Sequence, residues 1–154
     1  MGRCVQHEEA RSSAACTAFE GRIIVGGGFN GGDLNTVEAY DHIADEWSRM
    51  PSMTRRTSAH HLVAARNKLF SIGKWYRDFD VYDSTCKKFV RIQPSPHWFI
   101  CGAVTVKNKV LAFHGDSSKF SSYDVDKEEW STESCIPTAN SVNKFTVIPK
   151  LNLS

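Results

Sequence analysis

The chain has 154 residues, the size of one ordinary domain, and carries 19 lysines and arginines against 17 aspartates and glutamates. A net charge of +2 is too small to indicate a nucleic-acid partner. No apolar run approaches the length needed to span a bilayer, so we expect no membrane partner either.

The cysteines indicate the compartment. There are five of them, an odd number, and none forms a CxxC pair. The N-terminus is polar and does not resemble a signal peptide. These features favour free thiols and a reducing compartment, the cytoplasm in the first place, with the nucleus or cytoskeleton as alternatives. We expect Cys16 and Cys101 to be buried in small-residue runs, and Cys86 to be exposed in a polar turn.

The first predicted unit contains four short strands. Small and β-tolerant residues at 13–19 predict the first strand, and the apolar run at 22–26 predicts a second one that is buried on both faces. A loop rich in glycine and asparagine follows at 27–34. The third strand is predicted at 36–40, and the fourth begins at Trp47.

The same order of features recurs twice more, at a period of about 41 to 42 residues. Each unit has glycine after its second strand, then a Tyr-Asp pair, then a large aromatic residue. A fixed period of this size predicts stacked supersecondary units. The residues that mark the repeat are Gly27, Gly28, Tyr40, Trp47, Gly73, Tyr82, Phe89, Gly115, Tyr123 and Trp130.

Each repeated residue type has an expected structural role. Glycine permits a close approach of backbone or a positive φ that a side chain would block. The aromatic residue of the fourth strand supplies a large apolar surface that packs on the neighbouring unit. The tyrosine is expected to pack its ring and leave its hydroxyl for a partner. No stretch shows helical periodicity, so we predict an all-β chain.

This pattern resembles kelch repeats, each of which forms one four-stranded blade of a β-propeller. The stretches 15–23, 35–41 and 49–53 resemble the Kelch-like (BTB-kelch) family in particular. The resemblance implies kelch-type β-propeller blades, about three of them, four-stranded and antiparallel, which make an incomplete propeller. Phe89, in place of tryptophan, and the Gly73-Lys74 pair depart from the family pattern.

The resemblance also implies a division of the chain. Propellers have about four to eight blades, so three cannot close a ring. The family's BTB and BACK segments are not in this sequence, and we expect the chain to be the C-terminal part of a larger protein or an incomplete gene product. The predicted units are a lead-in at 1–10, blades at 11–53, 54–96 and 97–138, and a partial repeat or closing strand at 139–154.

The function that the resemblance implies is binding. In Kelch-like proteins the propeller captures a substrate protein, and the BTB and BACK segments bring it to a cullin-RING ubiquitin ligase. Arginine, tryptophan and tyrosine in the loops match the composition of interface hot spots, although each could instead pack locally or be solvated. The candidate partner-binding residues are Phe29, Asn30, Arg55, Arg56, Trp75, Tyr76, Arg77, His97, Trp98 and Lys119.

Two other classes of function compete with this interpretation. Some kelch propellers are galactose-oxidase-type copper enzymes, but the histidines here have no ligand spacing, and no motif carries a nucleophile or a carboxylate pair. We therefore predict that the chain is not an enzyme and has no catalytic residues, metal or cofactor. The other class is a structural kelch protein that binds actin.

Overall fold

The computed structural model describes residues 8–75, 77, 79–115 and 119–133. Tyr76, most of the predicted lead-in and all of the predicted closing segment lie outside these residues. The strands are β1 (Ala15–Phe19), β2 (Arg22–Gly26), β3 (Val37–Asp41), β4 (Glu46–Met50), β5 (His61–Ala65), β6 (Lys68–Ile72), β7 (Phe79–Asp83), β8 (Lys88–Ile92), β9 (Ile100–Val106), β10 (Lys109–His114), β11 (Phe120–Asp124) and β12 (Glu129–Glu133).

The strands form three sheets, each made of four consecutive antiparallel strands. Blade 1 contains β1–β4, blade 2 contains β5–β8 and blade 3 contains β9–β12. Strand β5 contacts both β1 and β9, so the first strands of the three blades lie side by side. The prediction of an all-β chain with three four-stranded antiparallel units is confirmed for the part of the chain that the structure describes.

The repeated Tyr and aromatic residues are cross-strand partners in each blade. Each tyrosine on the third strand lies opposite the aromatic residue on the fourth. Their ring centroids are 5.1, 5.3 and 5.2 Å apart in blades 1, 2 and 3. The seven-residue spacing in the sequence therefore joins two residues that face each other across the hairpin of the third and fourth strands. The pairs are Tyr40–Trp47, Tyr82–Phe89 and Tyr123–Trp130.

The aspartate after each tyrosine stabilises the turn between the third and fourth strands. Asp41 Oδ1 accepts the backbone N–H groups of Ile43 (2.9 Å) and Ala44 (3.1 Å). Asp83 accepts the N–H of Thr85 in the same way (2.8 Å). Hydrogen bonds to the charged carboxylate hold the pKa of Asp41 below its usual range. The repeated Tyr-Asp pair therefore combines a packing residue with a turn residue.

Two apolar layers hold the three blades together, one on each face of blade 2. Leu69 and Phe70 are neighbours in β6 and point to opposite faces, yet both are fully buried. Leu69 packs in the layer that contains Ile24 of blade 1, and Phe70 packs in the layer that contains Val110 of blade 3. Blade 2 is therefore apolar on both sides because it has a neighbour on both sides.

The aromatic residues of blade 3 pack onto blade 2. The ring of Phe79 meets the indole of Trp130 edge to face, with centroids 4.6 Å apart, and Phe70 meets Tyr123 at 5.8 Å. The indole N–H of Trp130 donates to the carbonyl oxygen of Gln93 in the segment that leaves blade 2 (3.1 Å). This agrees with the expected role of the repeated aromatic residue.

The structure differs from the expected environment of two residue types. Cys16 is exposed and Cys101 is half-buried, whereas both were expected to be buried. Cys86 is exposed, as expected. Cys16 is exposed because it lies on the face of blade 1 that faces away from blade 2. The hydroxyl of Tyr40 is also not left for a partner, since it donates to Asp45 Oδ1 (2.6 Å).

We predict that Phe70→Ala lowers the free energy of unfolding by about 3 to 5 kcal/mol, because it removes a fully buried ring between blades 2 and 3. Ile43→Ala is the matched control, since Ile43 is 86% exposed, and it should change stability by less than about 0.5 kcal/mol. Urea unfolding followed by tryptophan fluorescence measures both. Equal stability of the two variants would contradict the two-layer core.

Candidate functional site

Five connecting segments lie at one end of the three blades, which we call the loop face. In a four-stranded meander, the loop after the second strand and the segment after the fourth leave from the same end. The loop face therefore contains the loops after β2, β6 and β10 and the interblade segments after β4 and β8. All nine described candidate binding residues belong to these segments, whose described residues are 27–36, 51–60, 73–75, 77, 93–99, 115 and 119.

Backbone hydrogen bonds join the segments at the junction of blades 1 and 2. The N–H of Gly28 donates to the carbonyl oxygen of Thr57 (2.9 Å), and the N–H of Thr57 donates to that of Leu34 (2.9 Å). Nearer to the strands of blade 1, the N–H of Met53 donates to the carbonyl oxygen of Asn35 (2.9 Å). The long loop of blade 1 and the segment entering blade 2 therefore form one hydrogen-bonded unit.

The glycine pair makes this close approach possible. Gly27 has a φ of +59°, and a Cβ atom there would lie 2.5 Å from the Thr57 carbonyl oxygen and 2.6 Å from Cε1 of His60. Gly28 has a φ of +99°, and its Cβ would lie 2.6 Å from the carbonyl oxygen of Ser12. The positive φ and the short distances to neighbouring atoms therefore both disfavour a side chain at these two positions. The role expected for these glycines agrees with this geometry.

The candidate residues at this junction are exposed. Phe29 is 48% exposed, and Asn30 is exposed beside it at the tip of the loop. Arg55 and Arg56 are exposed on the interblade segment, and Arg56 Nη1 donates to the carbonyl oxygen of Asp33 (3.3 Å). This bond brings Arg56 against the loop that carries Phe29 and Asn30.

An aromatic cluster forms the junction of blades 2 and 3. Trp75 packs on Phe99 with ring centroids 4.8 Å apart. The Lys74 Nζ lies 5.3 Å from the Trp75 centroid and 5.7 Å from that of Phe99, within reach of a cation–π interaction. A Cβ on Gly115 would lie 2.0 Å from the Phe99 ring, so this glycine makes room for an aromatic residue.

Trp98 has a different partner, the guanidinium group of Arg77. The Cζ atom of Arg77 lies 5.4 Å from the Trp98 ring centroid. Arg77 Nε donates to the carbonyl oxygen of Ser95 (2.6 Å), and the N–H of Ser95 donates back to the Arg77 carbonyl oxygen (2.9 Å). The arginine is therefore held in place, and it holds the indole of Trp98. We call Lys74, Trp75, Arg77, Trp98 and Phe99 the aromatic patch.

The remaining candidate residues lie beside this patch. His97 is half-buried, and its ring lies 4.6 Å from that of the buried His114. Lys119 is exposed, and its carbonyl oxygen accepts the backbone N–H of His114 (3.2 Å). Tyr76 lies outside the described residues, so its part in the patch stays a prediction. The structure thus brings Trp75, Arg77, His97, Trp98 and Lys119 to one junction, and it places Phe29, Asn30, Arg55 and Arg56 at the other.

The aromatic patch exposes two large apolar side chains. Trp75 is 60% exposed and Trp98 is 62% exposed, although large apolar side chains are normally buried. Each indole is held by contacts with its neighbours, so little side-chain entropy remains to be lost when a partner binds. The sequence identified both tryptophans but not Lys74 and Phe99, which act through their packing against Trp75.

The described residues contain no group of three His, Cys, Asp or Glu side chains close enough to hold a metal ion. They also contain no helix that is long and apolar enough to cross a membrane. The predictions that the chain has no catalytic, metal or cofactor site stay predictions.

A buried histidine lies below the first junction. His60 is buried beside Gly27, and neither of its ring nitrogens has a hydrogen-bond partner among the described residues. Burial, with a smaller contribution from the neighbouring His61, lowers the pKa of His60 to about 4. The neutral form of His60 is therefore part of the folded structure.

We predict that Gly27→Ala lowers the free energy of unfolding by at least about 2 kcal/mol, because the new methyl group meets Thr57 and His60 in a positive-φ conformation. Gly31→Ala is the control for the backbone strain alone, since Gly31 has a φ of +70° with open space around it. It should cost about 1 kcal/mol. Equal losses, measured by urea unfolding, would show that the close approach is unimportant.

We also predict a loss of stability in mild acid. Because the pKa of His60 is about 4 in the folded chain and 6.5 in an exposed histidine, the unfolded chain binds the proton more readily between these values. Stability is therefore complete above pH 6.5 and falls as the pH drops towards 4, by on the order of 3 kcal/mol. Urea unfolding across this range measures the slope.

His60→Gln should reduce this dependence, because the replacement does not titrate. Burial also lowers the pKa of His61, so part of the slope should remain. His42→Gln removes an exposed histidine and should keep the wild-type slope. An unchanged slope in His60→Gln would contradict the assignment of the acid lability to His60.

Comparison with known proteins agrees with this fold. The Kelch motif family matches residues 10–54, which contain blade 1 and the start of the segment entering blade 2. A solved structure titled "Structure of YjhT" is similar with a TM-score of 0.67 and 13% identity, over 86% of this chain and 54% of that one. The chain thus spans about half the length of that structure. No curated protein matches it in sequence. Residues 10–54 match the kelch motif, and the described part of the chain folds into three kelch-type blades of a β-propeller.

Proposed function

We propose that this chain is a protein-binding propeller segment and that the aromatic patch of its loop face captures a partner protein. The observation that carries the proposal is the pair of tryptophans, Trp75 and Trp98, which are mostly exposed and yet held by packed neighbours. Exposed tryptophan beside arginine is the composition that dominates the binding energy of protein interfaces.

The patch offers apolar area and positive charge together. Lys74 and Arg77 lie against the rings, so a partner that covers the indoles also meets two cations. Arg55 and Arg56 extend the positive surface at the neighbouring junction. A partner segment with an aromatic or aliphatic side chain next to a carboxylate would match this arrangement.

The finer proposal concerns the protein to which the blades belong. We propose that the chain is the substrate-recognition part of a BTB-kelch adaptor of a cullin-RING ubiquitin ligase. Its support is the kelch motif at 10–54 and the likeness of three sequence stretches to the Kelch-like family. In such a protein the BTB and BACK segments, outside this sequence, would contact the cullin, and the loop face would hold the protein to be ubiquitinated.

The binding proposal predicts a selective loss of partners. In affinity purification from cells with quantitative mass spectrometry, Trp75→Ala and Trp98→Ala should each lower recovery of the captured protein by about 10-fold or more. Ile43→Ala removes another exposed large side chain, from the β3–β4 turn at the opposite end of blade 1, and should leave recovery unchanged. Equal recovery by all three variants would contradict the assignment of binding to the aromatic patch.

The adaptor proposal is tested separately, on the endogenous protein. Purification should recover peptides of a BTB segment together with a cullin. Recovery without any cullin, combined with co-sedimentation on actin filaments, would contradict the adaptor role and support the structural kelch class. Bound copper in the purified protein would instead support the oxidase class.

A further inference from the structure

We propose that a cavity between blades 2 and 3, which we call the interblade cavity, binds a small aromatic carboxylate. Strands β6, β7 and β8 of blade 2 line one side of it, and Tyr123 and Glu128 of blade 3 line the other. Its volume of about 310 Å³ is at the lower end of the range of small-molecule sites, about 300 to 1,000 Å³. It extends to the β7–β8 turn, at the end of the blades opposite the loop face. The proposal therefore does not rest on the partner-binding function.

An apolar row of side chains crosses blade 2 inside the cavity. Phe70, Val81 and Val90 lie opposite one another on β6, β7 and β8, and all three line the cavity. Phe70 and Val81 are buried, whereas Val90 on the outer strand is 39% exposed. The residues that match Val90 are Ser48 in blade 1 and Ser131 in blade 3. Among the three blades, only blade 2 thus has an apolar side chain at this position, where it borders the cavity.

A charged row of side chains lies beside the apolar row. Lys68, Asp83 and Lys88 lie opposite one another, each two residues along the strand from the apolar row and therefore on the same face. Because a strand rises about 3.3 Å per residue, the two rows are about 7 Å apart. The residues that match Lys88 are Glu46 in blade 1 and Glu129 in blade 3. The sign of the charge at this position is thus reversed only in the blade that borders the cavity.

The ion pairs around the cavity leave one cation for a ligand. Lys68 Nζ donates to Glu128 Oε1 of blade 3 (2.9 Å). Asp83 lies opposite Lys88 on the neighbouring strand, and its carboxylate accepts the backbone N–H of Thr85 (2.8 Å). Lys88 is exposed and forms no ion pair with the part of the chain that the structure describes. A ligand carboxylate at the charged row would therefore pair with Lys88.

Blade 3 supplies a hydroxyl group to the same cavity. Tyr123 is only 3% exposed, and among the described residues nothing accepts a hydrogen bond from its hydroxyl. The matching Tyr40 donates to Asp45, but the residue of blade 3 that matches Asp45 is Glu128, which accepts from Lys68 instead. Burial, with a smaller contribution from Glu128, raises the pKa of Tyr123 to about 12. Its hydroxyl therefore stays protonated and can donate to a ligand carboxylate.

These contacts together match an aromatic acid. A bicyclic aromatic ring would cover the apolar row and meet the Phe70 and Tyr123 rings. Its carboxylate, across the spacing between the rows, would meet Lys88 and the Tyr123 hydroxyl. Arg91 also lines the cavity and adds positive charge, with its guanidinium group bonded to Thr54 Oγ1 (3.1 Å). A neutral ligand of the same shape would gain the ring contacts only.

Cys86 reports whether the cavity is occupied. Cys86 and Cys16 are both exposed thiols, but Cys86 lines the cavity and Cys16 lies in blade 1. In the purified 154-residue chain, 2-naphthoate should slow the alkylation of Cys86 by iodoacetamide at least about 3-fold, with a half-maximal effect below about 1 mM. The alkylation of Cys16 should not change. Mass spectrometry of the two cysteine peptides measures both rates.

The neutral compound 2-naphthamide has the same shape and should protect Cys86 much less than 2-naphthoate. Absence of protection by 2-naphthoate would overturn the proposal. Equal protection by the two compounds would overturn the assignment of a carboxylate, and equal protection of Cys86 and Cys16 would show that the effect is not specific to the cavity.

Two substitutions locate the site by isothermal titration calorimetry with 2-naphthoate. Lys88→Glu, which introduces the residue type of blades 1 and 3, should raise the Kd by at least about 10-fold. Tyr123→Phe keeps the ring, removes the hydroxyl and should raise the Kd by about 3- to 10-fold. Lys87→Glu is the matched control, because it makes the same charge change at an exposed neighbour that does not line the cavity. It should keep the Kd within about 2-fold of wild type.

Equal Kd values in Lys87→Glu and Lys88→Glu would overturn the assignment of the site. Urea unfolding without ligand shows whether each variant is folded. Should Lys88→Glu fail to fold, the protection of Cys86 in the wild-type chain and the Kd of Tyr123→Phe still decide the proposal.

Discussion

The packing of one blade face on the next is the interaction on which the rest of this structure depends. A four-stranded sheet with apolar residues on both faces cannot bury either face alone, and only blade 2 has a described neighbour on each side. Phe70 and Leu69 are fully buried for this reason, although their side chains leave the same strand in opposite directions. The stability of each blade is therefore in large part a property of its junctions.

The loop face is a consequence of the same packing. Once two blades are in contact, the loop of one lies against the segment that enters the next, and hydrogen bonds such as that from Gly28 to Thr57 hold the two together. At the second junction, aromatic side chains hold the loop of one blade against the segment that enters the next. Phe99 fills the space that Gly115 leaves and supports Trp75. The side chains that remain exposed are therefore presented on a rigid support, which is what a binding surface needs.

The two junctions differ in chemistry because the repeats have diverged. The first has two glycines in positive-φ conformations and a buried neutral histidine, His60. The second has a cluster of rings with two cations. The first junction is thus closed mainly by backbone contacts and is sensitive to protonation in mild acid, whereas the second exposes apolar area to a partner.

Periodicity and residue type in the sequence were sufficient to determine the four-stranded blades, their order and the position of the loops. These features follow from local alternation, turn residues and a constant repeat, which do not depend on distant contacts. The sequence also identified Trp75, Arg77 and Trp98 as candidate binding residues. Only the tertiary structure decided that Trp75 packs on Phe99, that Arg77 holds Trp98 and that Cys16 is exposed. Those outcomes depend on which blade face packs against which neighbouring blade. Ile23 and Leu69 hold matching positions and look alike in the sequence, yet Ile23 is exposed and Leu69 is buried.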